Sequence, residues 1–178
     1  MIKTDRLILK NYTDQEREPF YLINSDPEVM RYFPSVLTRE ESNAMLERLR
    51  NGINDRGYGF WGAFIDNELI GMIGINPIPF DAHFTPAVEV GWRLAKKHWG
   101  KGYATEGAIA ALDFGFNELK LDEIIAITTV NNLPSQKVMH RLGMTHDSKD
   151  DFDHPKLDIN HPLRRHVLYR LRNAHDRS

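Results

Sequence analysis

The stretch Val88–Glu106 reads VEVGWRLAKKHWGKGYATE and predicts a strand, then a loop, then the start of a helix. Apolar residues occupy every second position from Val88 to Leu94, which is the period of a strand with one buried face. Glu89 lies between these positions, so we expect its side chain to point away from the apolar row. Small residues at 100, 102 and 104 keep the following loop compact before a helical pattern opens at Thr105.

A small-residue loop that leads into a helix suits a phosphate or pyrophosphate group. Backbone N–H groups can approach a ligand closely there, and a helix start adds unpaired donors and a positive dipole end. An ordinary tight connection between a strand and a helix explains the loop equally well. A P-loop is excluded, because Tyr103 follows Gly102 where Lys is required. A dinucleotide fingerprint is weak, because Thr105 stands where a third small residue belongs.

Two segments carry a resemblance to a known family. The run EVGWRLAKKHWGKGYATEG, followed later by NNLPSQKVMHRLGM, resembles the GNAT acyltransferases, particularly the branch that contains the ribosomal-protein N-terminal (RimJ/RimL-like) acetyltransferases. Similarity extends from TDRLILK near the start to HVLYRL near the end. Lys120 departs from the pattern, since a helix-ending glycine is usual there.

The resemblance implies an α+β fold and one domain over residues 1–178. Such a domain has a mixed, mostly antiparallel sheet with helices on both faces, and its fourth and fifth strands splay apart to admit the pantetheine arm of the cofactor. Those strands are expected to contain Glu89 and Ile127.

The resemblance also implies an acetyl-CoA site. Its pyrophosphate is expected on the loop, and the backbone of the splayed fourth strand is expected to meet the pantetheine and the acetyl oxygen. Trp99 departs from the Arg or Gln usual at the first loop position. The residues predicted to bind acetyl-CoA are Trp92, Arg93, Leu94, Trp99, Gly100, Lys101, Gly102, Tyr103, Ala104, Thr105, Asn132 and Ser135.

Two residues are the predicted catalytic pair. Transfer to an amine needs a proton acceptor and a proton for the departing thiolate. Glu89 is the candidate base, and a solvated or ion-paired strand residue is the alternative. Ser135, in the N-x-x-S element with Asn132, is the candidate acid, although both residues also suit a helix cap. Tyr103 and Tyr169 are weaker candidates for the acid and are expected to be packing residues.

Composition excludes several classes of function. The chain has 178 residues, 23 basic and 25 acidic, and a net charge of −2, which disfavours non-specific nucleic-acid binding. It has no cysteine, so disulfides, thiolate metal sites and a cysteine nucleophile are excluded. No signal core or membrane-length apolar run is found. These features predict a cytoplasmic protein that binds neither nucleic acid nor a membrane.

Local patterns predict the remaining elements. Residues 7–9 and 166–171 are predicted strands, 60–65 and 69–75 a hairpin around Asp66-Asn67, and 124–130 a buried strand parallel to the one before it. Thr13 or Asp14 caps a first predicted helix. Thr38 and Glu41 form a capping box for a helix that reaches about residue 55, and Pro134 and Gly143 bound a later helix.

The segment around residues 146–166 is rich in histidine and aspartate. Five of the eight histidines lie between His146 and His175, but their spacing fits no compact ligand set, so no metal is predicted. The four acids at 147, 150, 151 and 153 either form a solvated charge run or attract a cationic amine.

The sequence therefore predicts an acetyl-CoA-dependent N-acetyltransferase that uses no metal and acts by direct transfer to an amine, such as a protein N-terminus. A small-amine or antibiotic acetyltransferase and a non-catalytic acyl-CoA-binding module are the alternatives. The acceptor, the oligomeric state and the role of the 146–166 segment stay open.

Overall fold

The computed structural model describes residues 1–173. Its strands are β1 (Ile2–Lys3), β2 (Ile8–Lys10), β3 (Phe60–Ile65), β4 (Glu68–Pro77), β5 (Val88–Leu94), β6 (Glu123–Thr129), β7 (Thr145–His146), β8 (Phe152–Asp153) and β9 (Arg165–Arg172). Its helices are α1 (Arg17–Asn24), α2 (Arg39–Arg56), α3 (Tyr103–Asn117) and α4 (Leu133–Arg141). Short 3-10 turns cover Asp14–Glu16, Lys96–His98 and Ser148–Asp150.

All these strands belong to one sheet in the order β1-β2-β3-β4-β5-β6-β9-β7, with β8 paired to β9. Every pairing is antiparallel except that of β5 with β6. Those two parallel strands share a single registered pair, Glu89 with Ile125, and diverge beyond it. The predicted mixed, mostly antiparallel sheet with splayed central strands is confirmed.

Local signals placed most element ends correctly. Thr38 and Glu41 form the predicted capping box of α2, and Thr13 caps the 3-10 turn that precedes α1. The hairpin between β3 and β4 turns at Asp66 and Asn67, both with positive φ (47° and 68°). Because only a few residue types adopt that conformation readily, the Asp-Asn pair was a dependable turn signal.

The core lies mainly between the sheet and the helices. α3 packs closely on the sheet through its small face, where a methyl group on Gly115 would stand 2.6 Å from the Ile124 side chain. A smaller cluster joins Ile125, Phe152 and Leu168 to the side chains of Phe80 and Phe84. The turn-rich segment before β5 therefore packs against β6, β8 and β9. Its proline content did not predict this contact.

Some expectations need correction. β1, β7 and β8 were missed because two-residue strands carry no period, and β2 begins one residue later than predicted. β5 does not have one buried and one solvated face, because Arg93 on its polar row donates to the buried Asn24 of α1. Among residues 1–173, none of the helices is long and apolar enough to cross a bilayer.

Candidate active site

A cavity of about 1330 Å³ opens where β5 and β6 diverge. Residues of β5, the loop before α3, the end of β6 and the first turn of α4 line one part of it. Tyr32, Phe33 and Met45 also line it, and so do Phe80, His154 and His166. The cavity lining thus includes aromatic residues from several segments as well as the loop.

The backbone of β5 is arranged to bind a ligand in this gap. Ala95 N donates to Ile70 O at 2.9 Å, which places alternate residues of β5, including Arg93 and Glu89, in hydrogen-bonded pairs with β4. The N–H groups of the residues between them, Trp92 and Leu94, must point towards β6. Because β6 has diverged at that level, these two donors face the gap.

The loop after β5 presents a row of free donors. No protein carbonyl accepts from the backbone N–H groups of residues 100–105 in the described chain. Gly100 and Gly102 have φ of 71° and 83°, a conformation that side chains other than glycine rarely adopt, and Gly102 is the N-cap of α3. This arrangement fits the pyrophosphate of a coenzyme, which binds to such backbone groups.

The loop is braced from the start of the chain. Arg6 Nη1 donates to Lys101 O at 2.9 Å, and Arg6 Nε donates to Glu106 Oε2 at 2.6 Å. Thr4 Oγ1 donates to the other oxygen of Glu106, also at 2.6 Å. The Arg6 guanidinium further stacks on the ring of Tyr103 at 4.5 Å. We call this group the Arg6–Glu106 brace; it fixes the loop and the first turn of α3.

Glu89 lies at the point where the two strands part and lines the cavity. It has no ion pair within the described chain, and burial raises its pKa to about 8. Because no cationic side chain pairs with Glu89 in the described chain, the ion-paired alternative is not supported. A carboxyl with a pKa near neutrality is suited to exchange a proton with a reacting group.

Asn132 and Ser135 meet at the start of α4, and both line the cavity. Asn132 Oδ1 accepts from Ser135 N at 3.3 Å, so the predicted helix cap is present. Asn132 Nδ2 donates to Thr128 Oγ1 at 2.9 Å and to Ser135 Oγ at 3.1 Å. Since Ser135 Oγ accepts this bond, its own proton is free to be donated towards the cavity.

The cavity gathers the predicted site residues with one exception. Lys101 does not line it, because its carbonyl turns back to Arg6. Tyr169, a weaker candidate for the acid, is also outside; its hydroxyl lies 3.2 Å from His140 Nε2 and 3.3 Å from Gln136 Oε1. Tyr103 does line the cavity. Leu94 is buried as predicted, whereas Trp92 is only half-buried.

Arg93 was predicted to bind acetyl-CoA, but the contacts of its side chain were not predicted. Its Nη1 donates to Asn24 Oδ1 at 2.7 Å, and its guanidinium lies 4.2 Å from the centre of the Phe33 ring. Asn24 and Phe33 sit far from residue 93 in sequence and in segments without a motif. No local signal could have brought them together.

The roles of His154 and His166 in lining the cavity were also missed. Their ring centres lie 5.0 Å apart, and His166 Nδ1 is 3.0 Å from Arg164 O. Burial lowers the pKa of His154 to about 4 and also lowers that of His166, so both rings are uncharged at neutral pH. Their spacing in sequence had shown only that they do not form a compact set of metal ligands.

The acids of the 147–153 segment do not reach the cavity. Asp150 pairs with Arg170 at 2.7 Å, Asp151 lies 2.7 Å from His146 Nε2, and Asp153 pairs with Arg165 at 3.4 Å. Asp147 caps the 3-10 turn that follows it. Attraction of an amine to these acids is therefore not supported.

Within residues 1–173 no group of three or more His, Cys, Asp or Glu side chains is arranged to hold a metal ion, and His175 lies outside the described residues.

Comparisons with known proteins agree with this geometry. The sequence model of the acetyltransferase (GNAT) domain matches residues 6–145. The FsC-acetyl coenzyme A-N(2)-transacetylase of Aspergillus fumigatus is 34% identical over 152 residues, which are 82% of this chain and 65% of that protein. A crystal structure of a GNAT-family acetyltransferase from Bacillus anthracis is 29% identical, with a TM-score of 0.79 over 96% of this chain and 97% of that one.

The ribosomal-protein branch is similar at the level of the fold. The structure of RimL, a ribosomal L7/L12 alpha-N-protein acetyltransferase in complex with coenzyme A, has a TM-score of 0.75 and 16% identity, and 95% of each chain is covered.

A splayed β5–β6 pair beside a donor-rich loop is the arrangement expected of an acyltransferase that uses an acyl-CoA. The chain belongs to the GNAT acetyltransferase family. It is an acetyl-CoA-dependent N-acetyltransferase, as predicted from the sequence.

Proposed function

We propose that this enzyme transfers the acetyl group of acetyl-CoA directly to a primary amine within a ternary complex, with Glu89 as the base. The observation that carries the proposal is the position of Glu89. It lies in the cavity at the last point of contact between β5 and β6, without a cationic partner and with a pKa raised to about 8.

Bound acetyl-CoA supplies the activated acetyl group and a thiolate leaving group. The loop residues Gly100, Gly102, Tyr103, Ala104 and Thr105 hold its pyrophosphate through their free N–H groups. The N–H groups of Trp92 and Leu94 bind the pantetheine and orient the thioester. Donors that are fixed before the substrate arrives need no reorganisation during the reaction, which is why backbone groups suit this role.

Two side chains transfer protons. The ionised Glu89 carboxylate accepts the proton of the attacking amine, and a pKa of about 8 leaves a fraction of it ionised at neutral pH while making it a stronger base than an ordinary glutamate. Ser135 donates its hydroxyl proton to the departing thiolate and takes a replacement proton from solvent water, while Glu89 returns the amine proton to solvent. Asn132 Nδ2 donates to the Ser135 oxygen, which leaves the hydroxyl proton free for this transfer.

An acceptor screen that follows free CoA tests the proposal. Peptides with Ala, Ser or Met at the N-terminus are compared with polyamines and aminoglycosides. Since the chain has no cysteine, a thiol reagent detects released CoA without a signal from the protein. Turnover of an amine that is lost in Glu89→Gln supports the proposal. Binding of acetyl-CoA without transfer to any amine would instead favour a non-catalytic module.

A further inference from the structure

Arg93 is a guanidinium without a counter-ion. Among residues 1–173 it takes part in none of the ion pairs, although its side chain is largely withdrawn from water and lines the cavity. Burial lowers its pKa to about 10, so it remains charged at neutral pH. An unpaired buried charge is costly for a protein, and an anion that enters the cavity would relieve the cost.

The contacts that Arg93 does make are with neutral groups. Nη1 donates to Asn24 Oδ1, and the amide of Asn24 is oriented by its bond to Ser42 Oγ at 3.1 Å. Phe33 covers one face of the guanidinium, and Met45 Sδ lies 3.7 Å from Nη1. The guanidinium is therefore held in one orientation by groups that do not neutralise it.

The remaining edge of the guanidinium has no protein partner. Nε is buried without a hydrogen bond, whereas Nη2 stays accessible and makes no hydrogen bond in the described chain. A guanidinium N–H donates a charge-assisted hydrogen bond to a carboxylate oxygen. Nη2 of Arg93 is thus free to donate to a carboxylate that enters the cavity.

The acids that line the cavity do not neutralise Arg93. Asp5 is exposed, adjoins Arg6 of the brace in sequence and forms no ion pair with Arg93. Glu28 lies 3.4 Å from Arg31 Nη2 and 3.5 Å from Lys96 Nζ, and Glu106 belongs to the Arg6–Glu106 brace. Glu89 is on the same row of β5, four residues before Arg93, and is mostly protonated at neutral pH. The missing anion is therefore expected from the ligand.

We infer that Arg93 binds a carboxylate of the acceptor, so that the enzyme acetylates primary amines that also carry a carboxylate, such as free amino acids. The inference rests on the proposed function, because it assigns the amine to Glu89 and the carboxylate to Arg93. Residues four apart on a strand are about 13 Å apart at their Cα atoms. An acceptor whose amine and carboxylate are separated by several bonds fits this spacing better than a short α-amino acid.

Matched pairs of acceptors test the inference. Amino acids of increasing length, from alanine through 4-aminobutyrate to 6-aminohexanoate, are compared with their carboxamides at saturating acetyl-CoA. We expect kcat/KM to be higher for the acids by on the order of 10- to 100-fold, the range of a charge-assisted hydrogen bond. The C-terminally amidated dipeptides Ala-Asp and Ala-Asn form a separate arm, in which only the Asp side chain supplies a carboxylate; this arm distinguishes a free amino acid from an acidic peptide N-terminus.

Arg93→Met should abolish the preference for acids, bringing the ratio of acid to amide near one. Arg39→Met is the matched control, because Arg39 also stacks on an aromatic ring at 4.2 Å, in this case Tyr21, but is paired with Glu18 and does not line the cavity. It should keep the preference. Equal rates on acids and amides in the wild type would overturn the inference, as would a preference that survives in Arg93→Met.

A binding measurement keeps the test independent of catalysis. Hexanoate should raise the thermal midpoint of the wild type in the presence of CoA, whereas hexanamide should not, and Arg93→Met should lose the difference. Stabilisation by hexanoate with no turnover of any amine would contradict the proposed function but would still support a carboxylate site at Arg93. No stabilisation by hexanoate, or weaker binding of acetyl-CoA by a folded Arg93→Met, would remove Arg93 from the acceptor site.

Discussion

Glu89 and Ile125 form the one registered pair between β5 and β6, and the cavity opens directly beyond them. The proposed base thus stands where the sheet stops being continuous. Its side chain lines the cavity, and burial raises the pKa of its carboxyl to about 8. The same topology that creates room for the cofactor also sets the environment of Glu89.

Glu89→Gln should lower kcat/KM by on the order of 100-fold or more, because Gln keeps the shape but cannot accept a proton. In the wild type, kcat/KM should rise with pH until about 8, where Glu89 becomes ionised, and then level off. In the variant it should continue to rise towards the pKa of the acceptor amine, so that the deficit shrinks above about pH 8. A pH-rate profile that is the same in both enzymes would eliminate Glu89 as the base.

The stability of the same variant should depend on pH in a defined direction. Burial raises the pKa of Glu89 from 4.5 to about 8. Between these two pH values the folded state keeps a proton on Glu89 that the unfolded state has already released. The stabilising contribution of the protonated carboxyl is complete below about pH 4.5 and is lost as pH rises through about 8. Wild type should therefore lose stability relative to Glu89→Gln across this window, by on the order of 1 kcal/mol per pH unit.

Denaturant titrations of the two proteins at the ends of that window measure the effect. Glu68→Gln is the control, because Lys97 lowers the pKa of Glu68 and any effect of that group falls below its ordinary pKa. A constant difference between wild type and Glu89→Gln from acid to neutral pH would show that Glu89 is not desolvated.

Gly102→Ala should weaken the binding of acetyl-CoA by at least tenfold, because a methyl group would stand where the backbone must approach the pyrophosphate. Gly57→Ala is a matched control: Gly57 has the same φ of 83° at the end of α2 and does not line the cavity. Both variants should lose similar stability, and only the first should lose affinity in calorimetry. Normal affinity in a folded Gly102→Ala would remove the loop from the site.

Ser135→Ala should lower kcat more than it weakens acetyl-CoA binding, because the hydroxyl is proposed to act on the leaving thiolate. The Asn132 cap accepts from the backbone N–H of residue 135, which alanine retains, so α4 should keep its stability. Steady-state kinetics and thermal melts separate the two roles. Unchanged kcat would restrict Ser135 to the helix cap.

Lys120→Gly should stabilise the protein by up to about 1 kcal/mol, because Lys120 has a φ of 55°, a left-handed conformation that penalises a side chain. Lys120→Ala removes the charge but keeps the strain, so its thermal midpoint should stay near that of the wild type. A glycine variant that is no more stable than the alanine variant would contradict this account.

The sequence predicted the features that depend on neighbouring residues. Caps at Thr38 and Asn132 and the turn at Asp66 need only a few local contacts, and the family motif supplied the cofactor loop. Arg93 shows the limit of this approach, since alternation placed it on a polar row that was assumed to face solvent. Whether a strand face meets water or a helix depends on α1 and α2, which are far from it in sequence.

The aromatic rings of Phe80 and His154, which line the cavity, could not be predicted to meet there, for a related reason. Phe80 and His154 come from two irregular segments, and their rings meet at 4.6 Å only after β5 and β8 have joined the sheet. Neither segment has a period or a motif. Proline and histidine content indicated a loop, but the composition of a loop does not say which surface it will cover.

The Arg6–Glu106 brace also affects when, during folding, the enzyme becomes able to bind acetyl-CoA. Its two arms are separated by 100 residues, so the contact closes a long chain loop and belongs to the slow, non-local part of folding. During synthesis Thr4 and Arg6 emerge long before Glu106, so the brace cannot form until the start of α3 has been made. Binding of acetyl-CoA should therefore be acquired late.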